Sequence, residues 1–181
     1  MSTAGLESLQ ILVVDDNRQM RLLLRSLLRG FGFRRTFEAA DAAEALDIMK
    51  STVIDIVLVD WNMAPISGEE FAQMIRTSKD SPNPLCTVIM VTGHSERSRV
   101  ARARDAGVNS FLVKPVSAEA LRKHLVAAFT DNRPFVRSGR FVGPCRRCRG
   151  VVGYKGPLRR STDGDIETDD DHLDVDEVWK R

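Results

Sequence analysis

Through the first 130 residues, short apolar runs alternate with patterns of helical period. Ile11-Leu12-Val13-Val14 is a continuous apolar run closed by Asp15 and Asp16, as expected of a strand buried on both faces. Met20, Leu23, Leu24, Leu27, Leu28 and Phe31 recur at helical spacing and predict one helix face, with Gly30 and Gly32 as its stop. A weaker strand, Arg34 to Glu38, leads into an alanine-rich helix from Ala42 to Lys50. Val53 to Val59 is a second strongly apolar strand, ending at Asp60, and Ser67 can cap a helix running through Phe71, Met74 and Ile75. Thr87 to Val91 is a third apolar strand, ending at Thr92, and a helix from Ser95 to Asp105 stops at Gly107. Phe111-Leu112-Val113 predicts the last strand, ending at Lys114-Pro115. A closing helix, Ser117 to Phe129, would bury Leu121, Leu125, Val126 and Phe129.

Five strand-helix units predict an α/β fold, a doubly wound five-stranded parallel sheet with helices on both faces. Ligands of such sheets bind beyond the carboxyl ends of the strands. The polar residues at those ends are Asp15, Asp16, Asp60, Thr92 and Lys114, so the fold gathers them at one rim. Three carboxylates held close repel one another unless a cation intervenes, and Mg²⁺ is suited to such oxygen donors. Helix capping explains Asp15 or Asp16 singly, but not the pair together with Asp60. An aspartate can attack phosphorus to give an acyl phosphate. Lys114 is placed to contact a phosphoryl oxygen while a metal offsets charge. Thr92 offers a hydroxyl that can bond the phosphoryl group and so pull a loop and switch a surface.

Four segments in order, Ile-Leu-Val-Val-Asp15-Asp16-Asn, Val-Leu-Val-Asp60-Trp61-Asn62-Met63, Val-Ile-Met-Val-Thr92-Gly93 and Phe111-Leu-Val-Lys114-Pro115, resemble the receiver domain of bacterial two-component response regulators. The resemblance spans about Leu9 to Phe129 and is strongest to the single-domain chemotaxis type, with its flavodoxin-like fold. It implies phosphorylation of Asp60 by a histidine kinase or histidine phosphotransfer protein. It also implies Mg²⁺ held by Asp16, Asp60 and the Asn62 backbone carbonyl with Asp15 assisting, and stabilisation of the phosphoryl group by Thr92 and Lys114. Phe111 stands where the family places an aromatic that swings inward on activation; a plain core phenylalanine is the alternative. The Lys114-Pro115 peptide is expected to be cis, again from the resemblance. Such a domain is a switch that catalyses its own modification, not a turnover enzyme.

Two departures from the family pattern stand out. Ala64 occupies the place of the usual proline after Met63, with Pro65 one residue later, while Gly68 keeps its usual distance from Asp60. His94 stands two residues after Thr92, where a side chain can tune hydrolysis of the acyl phosphate or be plain exposed loop. Two other readings compete. A haloacid-dehalogenase-type hydrolase would need a second acid two residues after the nucleophile, and Asn62 stands there. A receiver fold serving only as scaffold would have no need of all five rim residues.

Composition changes this picture mainly at the ends. The 181 residues are 43% hydrophobic and 29% charged, which suits one globular domain with an appendage. A net charge of +2 argues for neither nucleic acid nor membrane. Residues 1–8 are expected to be flexible, without a secretory signal, and three cysteines form no disulfide framework; a cytoplasmic protein is expected. Residues 9–130 are expected to form the receiver and 131–181 a tail of low order. From Arg133 to Arg160 there are nine basic residues and no acidic ones; from Asp163 to Glu177 there are nine acidic residues. Segments so charged and poor in aliphatics tend not to fold alone.

Within the basic block, Phe141-Val-Gly143-Pro144-Cys-Arg146-Arg147 recurs thirteen residues later as Tyr154-Lys-Gly156-Pro157-Leu-Arg159-Arg160. This repeat suggests a peptide that docks on a downstream partner, on the chain's own acidic end or, less in keeping with the absence of a folded reading motif, on nucleic acid. Dimerisation is left open. Cys145 and Cys148 lack a second ligand pair for zinc. Trp179 is read as a hydrophobic anchor for the tail, and Trp61 as a surface feature of its loop.

Overall fold

A strand without polar alternation must be covered on both faces, and the apolar runs become the interior strands of a parallel sheet. The computed structural model describes residues 8–78, 81–93, 105–129, 131, 133–138 and 141–145. The elements are β1 (Gln10–Val14), α1 (Arg18–Gly30), β2 (Arg35–Ala39), α2 (Ala42–Ser51), β3 (Ile56–Asp60), α3 (Gly68–Thr77), β4 (Thr87–Thr92), β5 (Ser110–Val113), α4 (Ala118–Phe129), β6 (Phe135–Ser138) and β7 (Phe141–Pro144). The sheet order is β2-β1-β3-β4-β5, all parallel, with β6 and β7 forming a separate antiparallel pair. The helix expected from Ser95 to Asp105 lies outside the described residues except for Asp105, which is helical, and Gly107 follows with φ +83°.

Alternate residues of β1, β3, β4 and β5 feed two cores, while β2 adds to one of them. Leu12, Val57 and Val88 meet α2 and α3 on one face, and Ile11, Leu58 and Ile89 meet Leu24 and Leu28 of α1 and Leu121 and Leu125 of α4 on the other. This is the doubly wound architecture that the alternation predicts.

Ser67 caps α3 in a reciprocal pair. Its hydroxyl accepts from the Glu70 amide at 3.3 Å, and the Glu70 carboxylate accepts from the Ser67 amide at 2.9 Å. Ser67→Ala is expected to lower the melting temperature by roughly 3–5 °C in a thermal scan; an unchanged midpoint would show that α3 does not depend on the cap.

Four expectations need correcting. Val53 is 65% exposed and the strand begins only at Ile56, because Asp55 turns its polar groups toward the start of β1: its amide donates to the Gln10 carbonyl and its carboxylate accepts from the Gln10 amide. Leu23 is exposed, and so is Val126; the sheet covers a narrower stripe, Leu24 and Leu28 on α1 and Leu121 and Leu125 on α4. Trp61 is buried against the α2–α3 core rather than lying on the surface. Its amide donates to the Val91 carbonyl at 2.9 Å, which extends the β3–β4 pairing past Asp60 and turns the side chain inward.

The fourth correction concerns the appendage. Residues 135–138 and 141–144, expected within a tail of low order, form the antiparallel pair β6–β7, and β7 packs on α3. The charge pattern concealed this because the hairpin relies on the domain beneath it for its apolar cover. Cys145 is buried at its end; Cys148, Tyr154 to Arg160, the acidic block and Trp179 lie outside the described residues.

Candidate functional site

Each strand delivers its last residues to the same rim. At the end of β1, Asn17 starts α1 by accepting from the Gln19 amide at 2.9 Å, and its own amide donates to Asp15 Oδ1 at 2.8 Å. This turn leaves Asp15 almost wholly buried and Asp16 exposed. The neighbouring strand β3 ends in Asp60, 6% exposed. Carboxylate oxygens of Asp15, Asp16 and Asp60 all lie within 4.8 Å of one another.

Lys114, just past β5, reaches across this cluster. Its Nζ lies 2.6 Å from Asp60 Oδ1 and 3.2 Å from Asp15 Oδ2. The Lys114 amide donates to the Thr92 carbonyl at 2.7 Å, so the ends of β4 and β5 are locked together beside the acids. Thr92 is 2% exposed. The Lys114–Pro115 peptide is cis, as the resemblance implies, and so is Ala64–Pro65.

Burial pushes the Asp60 carboxyl above its ordinary value and the Asp15 charge adds to the rise, against the opposing pull of Lys114 and the Asn62 amide. Burial acts to lower Lys114, but its contacts with Asp60 and Asp15 outweigh this and hold the ammonium above an ordinary lysine. With all groups ionised, three carboxylates against one ammonium leave two negative charges, the amount a divalent cation would cancel. Hard oxygen donors in this number suit Mg²⁺, and exposed Asp16 leaves the cluster open to solvent on one side.

All the expected metal and phosphoryl residues that are described meet at this rim, and the Asn62 amide donates to Asp60 Oδ2 at 3.1 Å. Phe111, three residues before Lys114 and opposite Met90 of β4, is half-buried against the α2–α3 core. His94 lies outside the described residues.

Sequence reasoning missed the groups that hold the acids in place. Arg21 donates from Nη1 to the Asp15 carbonyl at 2.7 Å, and it pairs with Glu38 of β2 at 3.6 Å. The contact made by Gly68, a residue already noted for its spacing, was the second. Its amide donates to the Trp61 carbonyl at 3.0 Å, and a Cβ there would collide with the Asp60 carbonyl oxygen. The glycine's spacing from Asp60 was the only signal; Arg21 gave none, since an arginine on a helix start reads as solvated surface.

Comparison with known proteins places this geometry. The family model for the response regulator receiver domain matches residues 11–126. Chemotaxis protein CheY-3 of Vibrio cholerae is 36% identical over 123 residues, covering 68% of this chain and 93% of that protein. Chemotaxis protein CheY of Pseudomonas aeruginosa is 35% identical over 121 residues, covering 67% and 96%. Among solved structures, Vibrio cholerae CheY4 superposes with a TM-score of 0.61 at 27% identity, covering 66% of this chain and 98% of that one. A probable two-component response regulator/GGDEF domain protein superposes with a TM-score of 0.62 at 28% identity, covering 70% of this chain and 51% of that one. No helix among the described residues is long and apolar enough to cross a membrane.

Proposed function

This chain belongs to the response regulator receiver domain family of two-component signalling, and on that premise we propose that Asp60 accepts a phosphoryl group from a histidine kinase or histidine phosphotransfer protein in a Mg²⁺-dependent phosphorelay. The observation that carries the reading is Lys114 bridging Asp60 and Asp15 within a cluster of three carboxylates.

In the transfer, a carboxylate oxygen of Asp60 forms a bond to phosphorus as the phosphorus–nitrogen bond of the donor breaks, and the imidazole keeps the electron pair. Asp15, Asp16, Asp60 and the Asn62 carbonyl would hold Mg²⁺, which offsets charge on the transferring group. The Lys114 ammonium, already 2.6 Å from Asp60, turns to a phosphoryl oxygen, and the Thr92 hydroxyl takes another. Phe111 and Thr92 lie on the adjacent strands β5 and β4, paired in the sheet, and couple the rim to the face beside β5. Receiver domains are switches, and we infer that this one signals through protein contacts, for which the basic and acidic tail is a second route. The direct test is formation of a single phosphoryl adduct with Mg²⁺ and a small phosphodonor.

Lys114→Ala separates the two tasks of the lysine. Removing a positive charge beside the carboxylates should tighten Mg²⁺ binding several-fold while impairing the response to phosphorylation. Buried Trp61 follows Asp60 directly, so its fluorescence can follow the titration. Weaker Mg²⁺ binding in Lys114→Ala would show that the ammonium organises the carboxylates rather than competing with the ion.

A further inference from the structure

The end of the sheet opposite the rim carries a second organised cluster. Arg76, in the last turn of α3, is 1% exposed. Its Nε donates to the Gly107 carbonyl at 3.0 Å, Nη1 to the Pro84 carbonyl at 2.6 Å and Nη2 to Asn109 Oδ1 at 2.9 Å. These acceptors are neutral, and the ring of Phe135 covers the guanidinium at 5.1 Å. Asn109 also holds the hairpin, its carbonyl accepting from Arg133 Nη2 at 3.2 Å.

At the centre of the contact two backbones meet glycine to glycine. Gly107 has φ +83°, and a Cβ on it would collide with the Val142 carbonyl oxygen and lie 2.8 Å from Arg76 Cγ. A Cβ on Gly143 would lie 2.8 Å from the Gly107 Cα and 3.0 Å from Phe141 Cζ. Pro144 pairs in register with Phe135. The contact at Gly107 therefore requires a glycine preceded by a residue that presents its carbonyl, while the aromatic before them packs on that glycine and the proline after them stands opposite Phe135.

Those same features stand at Tyr154, Gly156 and Pro157, thirteen residues on, each copy followed by paired arginines. The family match ends at residue 126, so neither copy belongs to the matched part of the chain. We propose that Arg76, Gly107 and Asn109 form a docking surface for the aromatic-X-Gly-Pro motif, occupied by Phe141–Pro144 and, when that strand is released, by Tyr154 to Pro157 of the same chain. The closure entropy of a loop grows only slowly with length, so thirteen more residues do not forbid the exchange. The docked copy sets where the charged tail leaves the domain, at the end away from Asp60.

Hydrogen exchange on the full chain tests this, with β1 and β3 amides reporting an intact fold. In the wild type, the segments 107–110 and 135–144 are expected to be protected. Gly143→Ala should cut protection of 141–144 by roughly tenfold or more, leave 107–110 protected and add protection at 154–157. Gly143→Ala combined with Gly156→Ala should expose 107–110 as well. The proposal fails if Gly143→Ala leaves 141–144 unchanged, or if 107–110 open with no gain at 154–157. It also fails if the gain depends on protein concentration, since the occupant would then be a second copy of the chain.

Discussion

Incubated with Mg²⁺ and acetyl phosphate, the full chain is expected to gain one phosphoryl group by intact mass, and to lose it in mild base. Asp60→Asn should show no adduct, because the amide lacks the nucleophilic carboxylate oxygen while matching its size. Omitting Mg²⁺ should also prevent formation, since the attacking carboxylate stands within 4.8 Å of Asp15 and Asp16 oxygens and the incoming group is itself anionic. Each of these losses should exceed roughly a hundredfold in rate, the scale of removing a nucleophile or its electrostatic support. An adduct persisting in Asp60→Asn would move the acceptor elsewhere, with Asp16 the first residue to examine because it is the exposed carboxylate of the cluster.

Gly68→Ala should be the most disruptive single methyl added to the domain. The added carbon would meet the Asp60 carbonyl oxygen and carbonyl carbon, the latter at 3.0 Å, and Met90 Sδ at 3.1 Å. The sulfur can yield, but the Asp60 backbone belongs to β3 and cannot retreat without breaking its pairing with β4. Alanine gains about 1 kcal/mol of helix propensity over glycine, whereas overpacking against backbone costs about 1–3 kcal/mol or more, so the collision should prevail. A lower melting temperature together with at least roughly tenfold weaker Mg²⁺ binding is expected, because relief of the clash shifts the acceptor itself. Gly30→Ala is the control: nothing lies within 4 Å of a Cβ there, and its stability should be unchanged or slightly raised. Were Gly68→Ala to melt with the wild type, the close approach of α3 to Asp60 would not constrain the site.

Much of this was legible along the chain, for a physical reason. Burial on both faces forces continuous apolar runs, and a parallel sheet turns every run's end toward one rim, so Asp15, Asp16, Asp60, Thr92 and Lys114 could be gathered without coordinates. Ser67 was legible as a cap because a helix start has local chemistry. Trp61 was not, since whether a loop aromatic faces core or solvent depends on a hydrogen bond to Val91, a residue thirty positions away.

The hairpin shows the boundary most clearly. Its residues lack the aliphatic content to fold alone, and their charge pattern suggests an unstructured tail. Its order comes from Arg76, Gly107 and Asn109, which belong to other elements and become a surface only after the sheet has formed. Period and charge are properties of neighbours in sequence, and they pointed to the five strands of the parallel sheet, the helices described beside it and the acidic rim. Close approach is a property of neighbours in space. It alone decided that Gly68 abuts Asp60, that Arg21 grips the Asp15 turn, and that Gly143 is seated on Gly107.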